Sequence, residues 1–446
     1  MNNKAAILAV GDVHLGTLCS GVPDFVLAMG IDSVDLTPAN ALRLSVDLAV
    51  KEQVSAVLFA GDVVESSNSR FEALPPLEEC VRRLLNAGIE VIAVAGNHDV
   101  EALPRLVKIL EGIVLLGAGG NWESRTIWKD EKPLAEVIGW SFGERHVRQS
   151  PVASLLADSL APPAASIPRI GLLHADLNAS GGTYAPVRQV ELDNCGFDAW
   201  LLGHIHKPSI QDLSERAGGP SGYLGSIVGL DSSETGPRGP WILRVGAEGK
   251  LSLEHVPLAP LRWERISISV EGLEHADDVE DGILSEATRY VREIQQDGYA
   301  PKAVGLIAHL VGASACHEEI RKRIEAKKWS ELGRVVNGTA VFFSKIIPEM
   351  NPLLDLAEIA RGDDPPALIA RRLLALEKDD DHAKDLLEKT RAALAGIAHE
   401  ERWSPVNDHR NATDPFSDAA LRDTLRRSGM AALSKMLSQA ESGALS

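Results

Sequence analysis

Five short apolar runs, residues 5–10, 56–60, 91–95, 170–173 and 200–202, each lead into residues of metal-binding type. In order these are Asp12-Val13-His14, Gly61-Asp62, Gly96-Asn97-His98-Asp99, His174 and Gly203-His204-Ile205-His206. The runs are short and β-branched enough to predict buried strands rather than helices. The polar clusters therefore fall at the carboxyl ends of strands. In layered α/β folds helices cover the sheet faces, and the crevice beyond those ends is left for ligands.

The donor set is Asp12, His14, Asp62, Asn97, His174, His204 and His206. It offers imidazole nitrogens and hard oxygens but no thiolate, a combination suited to divalent manganese, iron or zinc. A single catalytic zinc usually takes three protein donors and keeps one position open, so these residues imply two ions. A metal pair about 3.5–4 Å apart activates a bridging water and clamps the oxygens of a phosphoryl group, which points to phosphate-ester hydrolysis. Asp62, with two oxygens, is the natural bridge. Asp12, His14 and His206 are expected to complete one sphere, and Asn97, His174 and His204 the other. His98 stands beside these donors, and its near-neutral pKa suits it to protonate a leaving alkoxide. Asp99 is expected to orient it.

The segments DVHLG, GDVVES, GNHD, the lone His174 and GHIHKP together resemble the five motifs of calcineurin-like metallophosphoesterases. DVHLG, Tyr223-Leu224-Gly225-Ser226, Ser233-Glu234 and Arg238-Gly239-Pro240 further resemble the DNA repair exonuclease branch, SbcD and its YhaO-like relatives. The resemblance implies a four-layer αββα sandwich, two manganese ions on the strand-end residues, and a catalytic role for His98. Two positions depart from the pattern: Val64 stands where an aromatic is frequent, and Leu224 where a proline is commoner.

At 446 residues the chain exceeds one ordinary domain. Residues 1–260, where strand-like and helix-like stretches alternate, predict the α/β catalytic domain. Residues 261–347 read as a smaller α+β unit, which the resemblance assigns to capping the active site. Residues 348–446 turn helical and charged. By the same resemblance they could dock onto an SbcC-like coiled-coil ATPase; packing within their own domain is the alternative. Gly117-Ala118-Gly119-Gly120 invites a dinucleotide-loop reading, but the residues that follow read as strand, which excludes it.

Cys19, Cys80, Cys195 and Cys316 are scattered without a CxxC pair, favouring reduced thiols and a cytoplasmic setting. Gly11-Asp12 interrupts the first apolar stretch too early for a signal peptide or membrane span. Charge opposes a polyanionic substrate, since 45 basic against 63 acidic residues give a net −18. Local cations near the motifs soften that objection, and Arg70, Arg145 and Arg188 are the substrate-binding candidates. The expected function is a metal-dependent DNA exonuclease or endonuclease working with an ATPase, with a homodimer implied by analogy. A phosphodiesterase or phosphatase for small nucleotides is the alternative, and a non-catalytic scaffold the third class, which the complete donor set disfavours.

Overall fold

The computed structural model of the chain describes residues 5–65, 70–157, 167–179, 181–210, 219–246, 249–273, 275–296, 298–326, 329, 331–378, 381–398 and 416–443. The strands in its first part are β1 (Ala5–Val10), β2 (Ala56–Ala60), β3 (Glu90–Val94), β4 (Ile113–Leu115), β5 (Trp122–Lys129), β6 (Lys132–Trp140), β7 (Arg169–His174), β8 (Ala199–Gly203), β9 (Ser221–Tyr223), β10 (Trp241–Val245) and β11 (Leu251–His255). They form two sheets, ordered β11-β10-β1-β2-β3-β4 and β5-β6-β7-β8-β9. The neighbours β1, β2 and β3 run parallel, as do β6, β7, β8 and β9. Parallel strands deliver their carboxyl ends to one edge, so the loops after β1, β2 and β3 gather together, and so do those after β7 and β8.

Burial explains the layering. Ile7, Leu58 and Ile92 of the first sheet pack with Val137, Ile170, Leu172 and Leu201 of the second in one continuous core. Alternate residues of the first sheet, among them Leu8, Phe59 and Val91, face the helices Pro38–Glu52 and Arg70–Asn86 through Leu42, Val46, Leu77 and Leu84. Trp140, Leu173 and Trp200 of the second sheet face outward to Val152, Leu155 and Leu192 on the helices Pro151–Ala157 and Gln189–Asn194. The layers are therefore helix, sheet, sheet, helix, the αββα sandwich expected. Strands buried on both faces are apolar throughout, which is why their hydrophobic runs are unbroken in sequence.

Some helices run against their local sequence signals. The helix Arg70–Asn86 runs through Pro75 and Pro76. Proline in a helix removes a backbone donor, yet Ala73, Leu77, Val81 and Leu84 bury one apolar stripe that holds the helix together. Shorter helices span Leu356–Ile359 and His317–Glu325. After Leu116 the glycine loop leads into β5, as the rejection of a dinucleotide site requires.

The later strands are β12 (Leu261–Ser269), β13 (Ala303–Val311), β14 (Ala313–Ser314), β15 (Gly333–Val336), β16 (Thr339–Pro348) and β17 (Asn351–Pro352). Four of them make a sheet ordered β12-β13-β16-β15, and β14 pairs with β17. The helices Pro365–Lys378, Asp381–Ala398 and Asp418–Gly443 share a small core of Ala370, Leu373, Leu376, Ala383, Met430 and Leu433. By compactness the chain divides into two units: residues 1–266 with 286–307 and 330–345, and residues 267–285 with 308–329 and 346–446. Among the described residues no helix is long and apolar enough to cross a membrane. All four cysteines are free thiols.

Candidate metal centre

Each expected ligand sits at or just past the end of a strand, and close packing of the loops brings them together. Gly61 and Gly96 make this possible: a Cβ on Gly61 would lie 2.6 Å from His174 Nδ1, and one on Gly96 would lie 2.2 Å from Asp62 Oδ1. Glycine before the ligand therefore reflects the crowding of one motif against the next. The backbone is also bent here, since His14, Asp62 and His204 all adopt positive φ, of 52°, 48° and 106°. Non-glycine residues rarely hold that conformation, and the surrounding loops over-determine it. The amides of Val13 and His14 both donate to the Asp62 carbonyl, and the His204 amide donates to Asp12 Oδ1.

On one side, His14 Nε2 and His206 Nε2 are 3.0 Å apart. Each ring donates its opposite nitrogen to a carboxylate: His14 Nδ1 lies 3.1 Å from Glu65 Oε2, and His206 Nδ1 lies 2.5 Å from Glu234 Oε1. Both Nε2 atoms are then acceptors facing one another, an arrangement that a cation between them relieves. Asp12 closes the group, and its Oδ2 is buried without a hydrogen-bond partner. On the other side, His174 Nε2 is 3.0 Å from Asn97 Oδ1 and 3.3 Å from Asp62 Oδ2, while His174 Nδ1 is 3.1 Å from the Ala60 carbonyl. His204 stacks edge-on to His174 at 5.1 Å, and its Nε2 is 2.9 Å from Asp176 Oδ1. Asp62 lies between the groups, 3.9 Å from His14 Nε2 and 3.3 Å from His174 Nε2, as a bridging carboxylate must. Asp12, His14, Asp62, Asn97, His174 and His206 thus lie together, with the His204 ring against that of His174, and the orphaned oxygen and paired imidazole acceptors fit a divalent metal pair.

Electrostatics agree with that fit. Burial works against ionising Asp62, but His174 and His14 beside it hold its carboxyl below the usual range. Burial equally opposes charge on His174, yet Asp62 and Asp12 push its pKa up to about 9. A proton on His174 thus substitutes for a cation among the carboxylates. Burial lowers and Glu234 then raises His206, with a net shift upward.

His98 has a side chain 36% exposed, the most open of the site's imidazoles, and its amide donates to Asp62 Oδ1 at 2.9 Å. The expected pairing with Asp99 is corrected by the structure. Asp99 is fully buried and its oxygens accept from the amides of Gly96 and Val63, at 2.7 Å each, so it clamps two loops together. Burial and the Asp62 charge push its carboxyl up to about 7. Glu65 takes the place expected of Asp99, with Oε2 2.9 Å from His98 Nδ1, close but off the line of a good hydrogen bond; it raises the pKa of His98. Sequence reasoning missed Glu65, Glu234 and Asp176. Glu65 and Glu234 stood within segments already singled out, GDVVES and Ser233-Glu234, and Asp176 lies two residues beyond His174.

The proposed substrate-binding arginines differ in placement. Arg145 is exposed on the loop after β6. Arg188 is 72% exposed and pairs with Glu191 at 3.0 Å at the start of the helix Gln189–Asn194. The side chain of Arg70 lies outside the described residues.

Two sheets between helices thus bring imidazoles and carboxylates together at their carboxyl edge, a donor set suited to divalent metals. Residues 5–208 match the model of the calcineurin-like phosphoesterase family. The chain is 29% identical over 278 residues to an uncharacterized metallophosphoesterase, YhaO, of Bacillus subtilis, covering 60% of this chain and 64% of that protein. The match thus spans less than two thirds of YhaO. It is 22% identical over 335 residues to the DNA double-strand break repair protein Mre11 of Methanopyrus kandleri, covering 70% of each. A solved dimetal phosphatase from Danio rerio is 12% identical, covering 56% of this chain and 98% of that one, with a TM-score of 0.32.

Proposed function

We propose that this chain is a metallophosphoesterase and a DNA nuclease that hydrolyses phosphodiester bonds by water attack on phosphorus. The 3.0 Å approach of two imidazole acceptors beside an unpartnered Asp12 oxygen carries the hydrolytic part of the reading. The resemblance to proteins named for double-strand break repair supports DNA as substrate. Asp12, His14, His206 and Asp62 would hold one divalent ion, and Asp62, Asn97, His174 and His204 the other, manganese being favoured over iron or zinc. Such a pair would polarise phosphoryl oxygens and lower the pKa of water. Glu65 lies beside the ring of His98 and raises its pKa, and His98 Nε2 would give a proton to the ester oxygen as the phosphorus–oxygen bond breaks. The Asp62 carboxylate that receives the His98 amide keeps this acid next to the reacting phosphorus.

Beyond the centre, residues 261–347 serve to position DNA ends, and residues 348–446 dock an SbcC-like coiled-coil ATPase, in a cytoplasmic homodimer acting in repair. A phosphodiesterase for small nucleotides is the second reading, favoured by the net charge of −18. Manganese-loaded protein incubated with linear duplex DNA, single-stranded DNA and a chromogenic phosphodiester decides between them. Release of nucleotides from DNA supports the nuclease. Cleavage of the chromogenic ester alone, even with the ATPase present, selects the second reading.

A further inference from the structure

We infer that His146 and Tyr184 form a stacking rim for the nucleobase next to the scissile phosphate, so that the site takes nucleotide esters in preference to esters lacking a base. This rests on the hydrolase reading above. A row of rings leads outward from the metal centre: His174 to His204 at 5.1 Å and 70°, His204 to Tyr184 at 5.2 Å and 49°, and Tyr184 to His146 at 5.6 Å and 30°. Along it the rings turn progressively parallel, and exposure rises from buried His174 through half-buried Tyr184 to exposed His146. The row is pinned by backbone. Val147 and Tyr184 form a parallel bridge, the Ala185 amide donates to the Val147 carbonyl at 2.8 Å, and the Asp176 amide donates to the Tyr184 carbonyl at 2.9 Å. Asp176 is also the residue that holds His204, so the rim and a metal ligand share one support.

Two further observations point to a nucleotide. Aromatic residues make up only 4% of the chain, and tyrosines number four, yet one of them stands beside a proposed metal ligand with an exposed imidazole continuing the stack. Arg145 and Arg148 flank His146, both exposed, and neither forms an ion pair with any described residue. Arg125, Arg169 and Arg188, by contrast, each meet a glutamate. Exposed ring surface beside unpaired guanidinium groups matches a base attached to phosphate: the base gains stacking, and the phosphate gains charge. Stacking of this kind tolerates any base, so the rim selects nucleotides as a class rather than a sequence.

The test uses the full metal-loaded chain and two phosphodiesters with the same leaving group, methyl para-nitrophenyl phosphate and the para-nitrophenyl ester of thymidine monophosphate. His146→Ala is expected to lower kcat/KM for the thymidine ester roughly tenfold relative to the methyl ester, through KM. His146→Phe, which keeps a ring, should restore the ratio, and Tyr184→Leu should shift it in the same direction as His146→Ala. Bound metal is measured on every sample. An equal loss on both esters, or an unchanged ratio in His146→Ala, overturns the rim and leaves these rings as packing around His204. If the metal-loaded wild type cleaves neither ester, the hydrolase reading itself falls and takes the rim with it; cleavage of both with an unaltered ratio removes the rim alone.

Discussion

The two halves of the metal centre are built from the same residue types but are held in different ways. His174 is fully buried, and its outward nitrogen is fixed by a main-chain carbonyl, that of Ala60, at 3.1 Å. His206 has a side chain 26% exposed, and its outward nitrogen is fixed by the carboxylate of Glu234. One half is thus an extension of the sheet core, whose geometry follows from strand pairing, and the other is assembled by side chains from distant loops. A carboxylate partner raises the basicity of its imidazole and can be altered by one substitution. A backbone partner cannot be altered so, but it ties the ligand to fold stability.

The most severe way to break this contrast is to remove what both halves share. Asp62→Ala should cost at least about a thousandfold in activity, roughly 4 kcal/mol, with loss of bound metal from both sides, read by steady-state kinetics and elemental analysis. Next, the halves should separate in stability. His174→Ala in metal-free protein should lower the unfolding free energy by about 2–4 kcal/mol, because it empties a buried position and strands the Ala60 carbonyl, whereas His206→Ala should cost under about 1 kcal/mol. Equal losses in denaturant titrations would erase the distinction.

The carboxylate-backed half should respond selectively to its partner. Glu234→Gln should weaken metal binding about 10- to 100-fold at one site of two in calorimetric titration, with unfolding little changed. The buried half should reveal itself through pH. In the metal-free protein the pKa of His174 is raised to about 9 by Asp62 and Asp12 against the effect of burial, so below that pH the ring carries a proton that an ion must displace. Binding should release that proton, and apparent affinity should rise by about tenfold per pH unit up to about 9 and then level, as titrations in buffers of differing ionisation enthalpy would register. The smallest effect belongs away from both halves. Arg188→Ala, which removes an exposed pair with Glu191, should change stability by no more than about 0.5 kcal/mol in thermal melts.

The strands and the polar clusters at their ends were legible because each signal is local: an unbroken apolar run marks a strand buried on both faces, and a polar cluster marks its carboxyl edge. The helix Arg70–Asn86 is obscured in the sequence because Pro75 and Pro76 are strong local breakers, overridden by an apolar stripe that only tertiary packing uses. Asp99 was misassigned because adjacency in GNHD suggests a partner for His98, while the turn carries its carboxylate inward to the amides of Gly96 and Val63. Glu65 was visible in GDVVES, but nothing in its neighbourhood says that one oxygen would lie beside both His14 and His98.

By itself the sequence determined a layered α/β fold, the edge at which chemistry is placed, and a nitrogen-and-oxygen donor set matched to divalent metals. Those follow from periodicity and residue type, which act over a few positions. The tertiary structure alone decided which carboxylate backs which imidazole, as in His206 with Glu234 and His204 with Asp176, and which rings line the mouth. Such pairings span long stretches of chain or depend on how loops from different strands pack, and hydrogen-bond partners are selected by distances of a few ångströms that no spacing along the chain encodes.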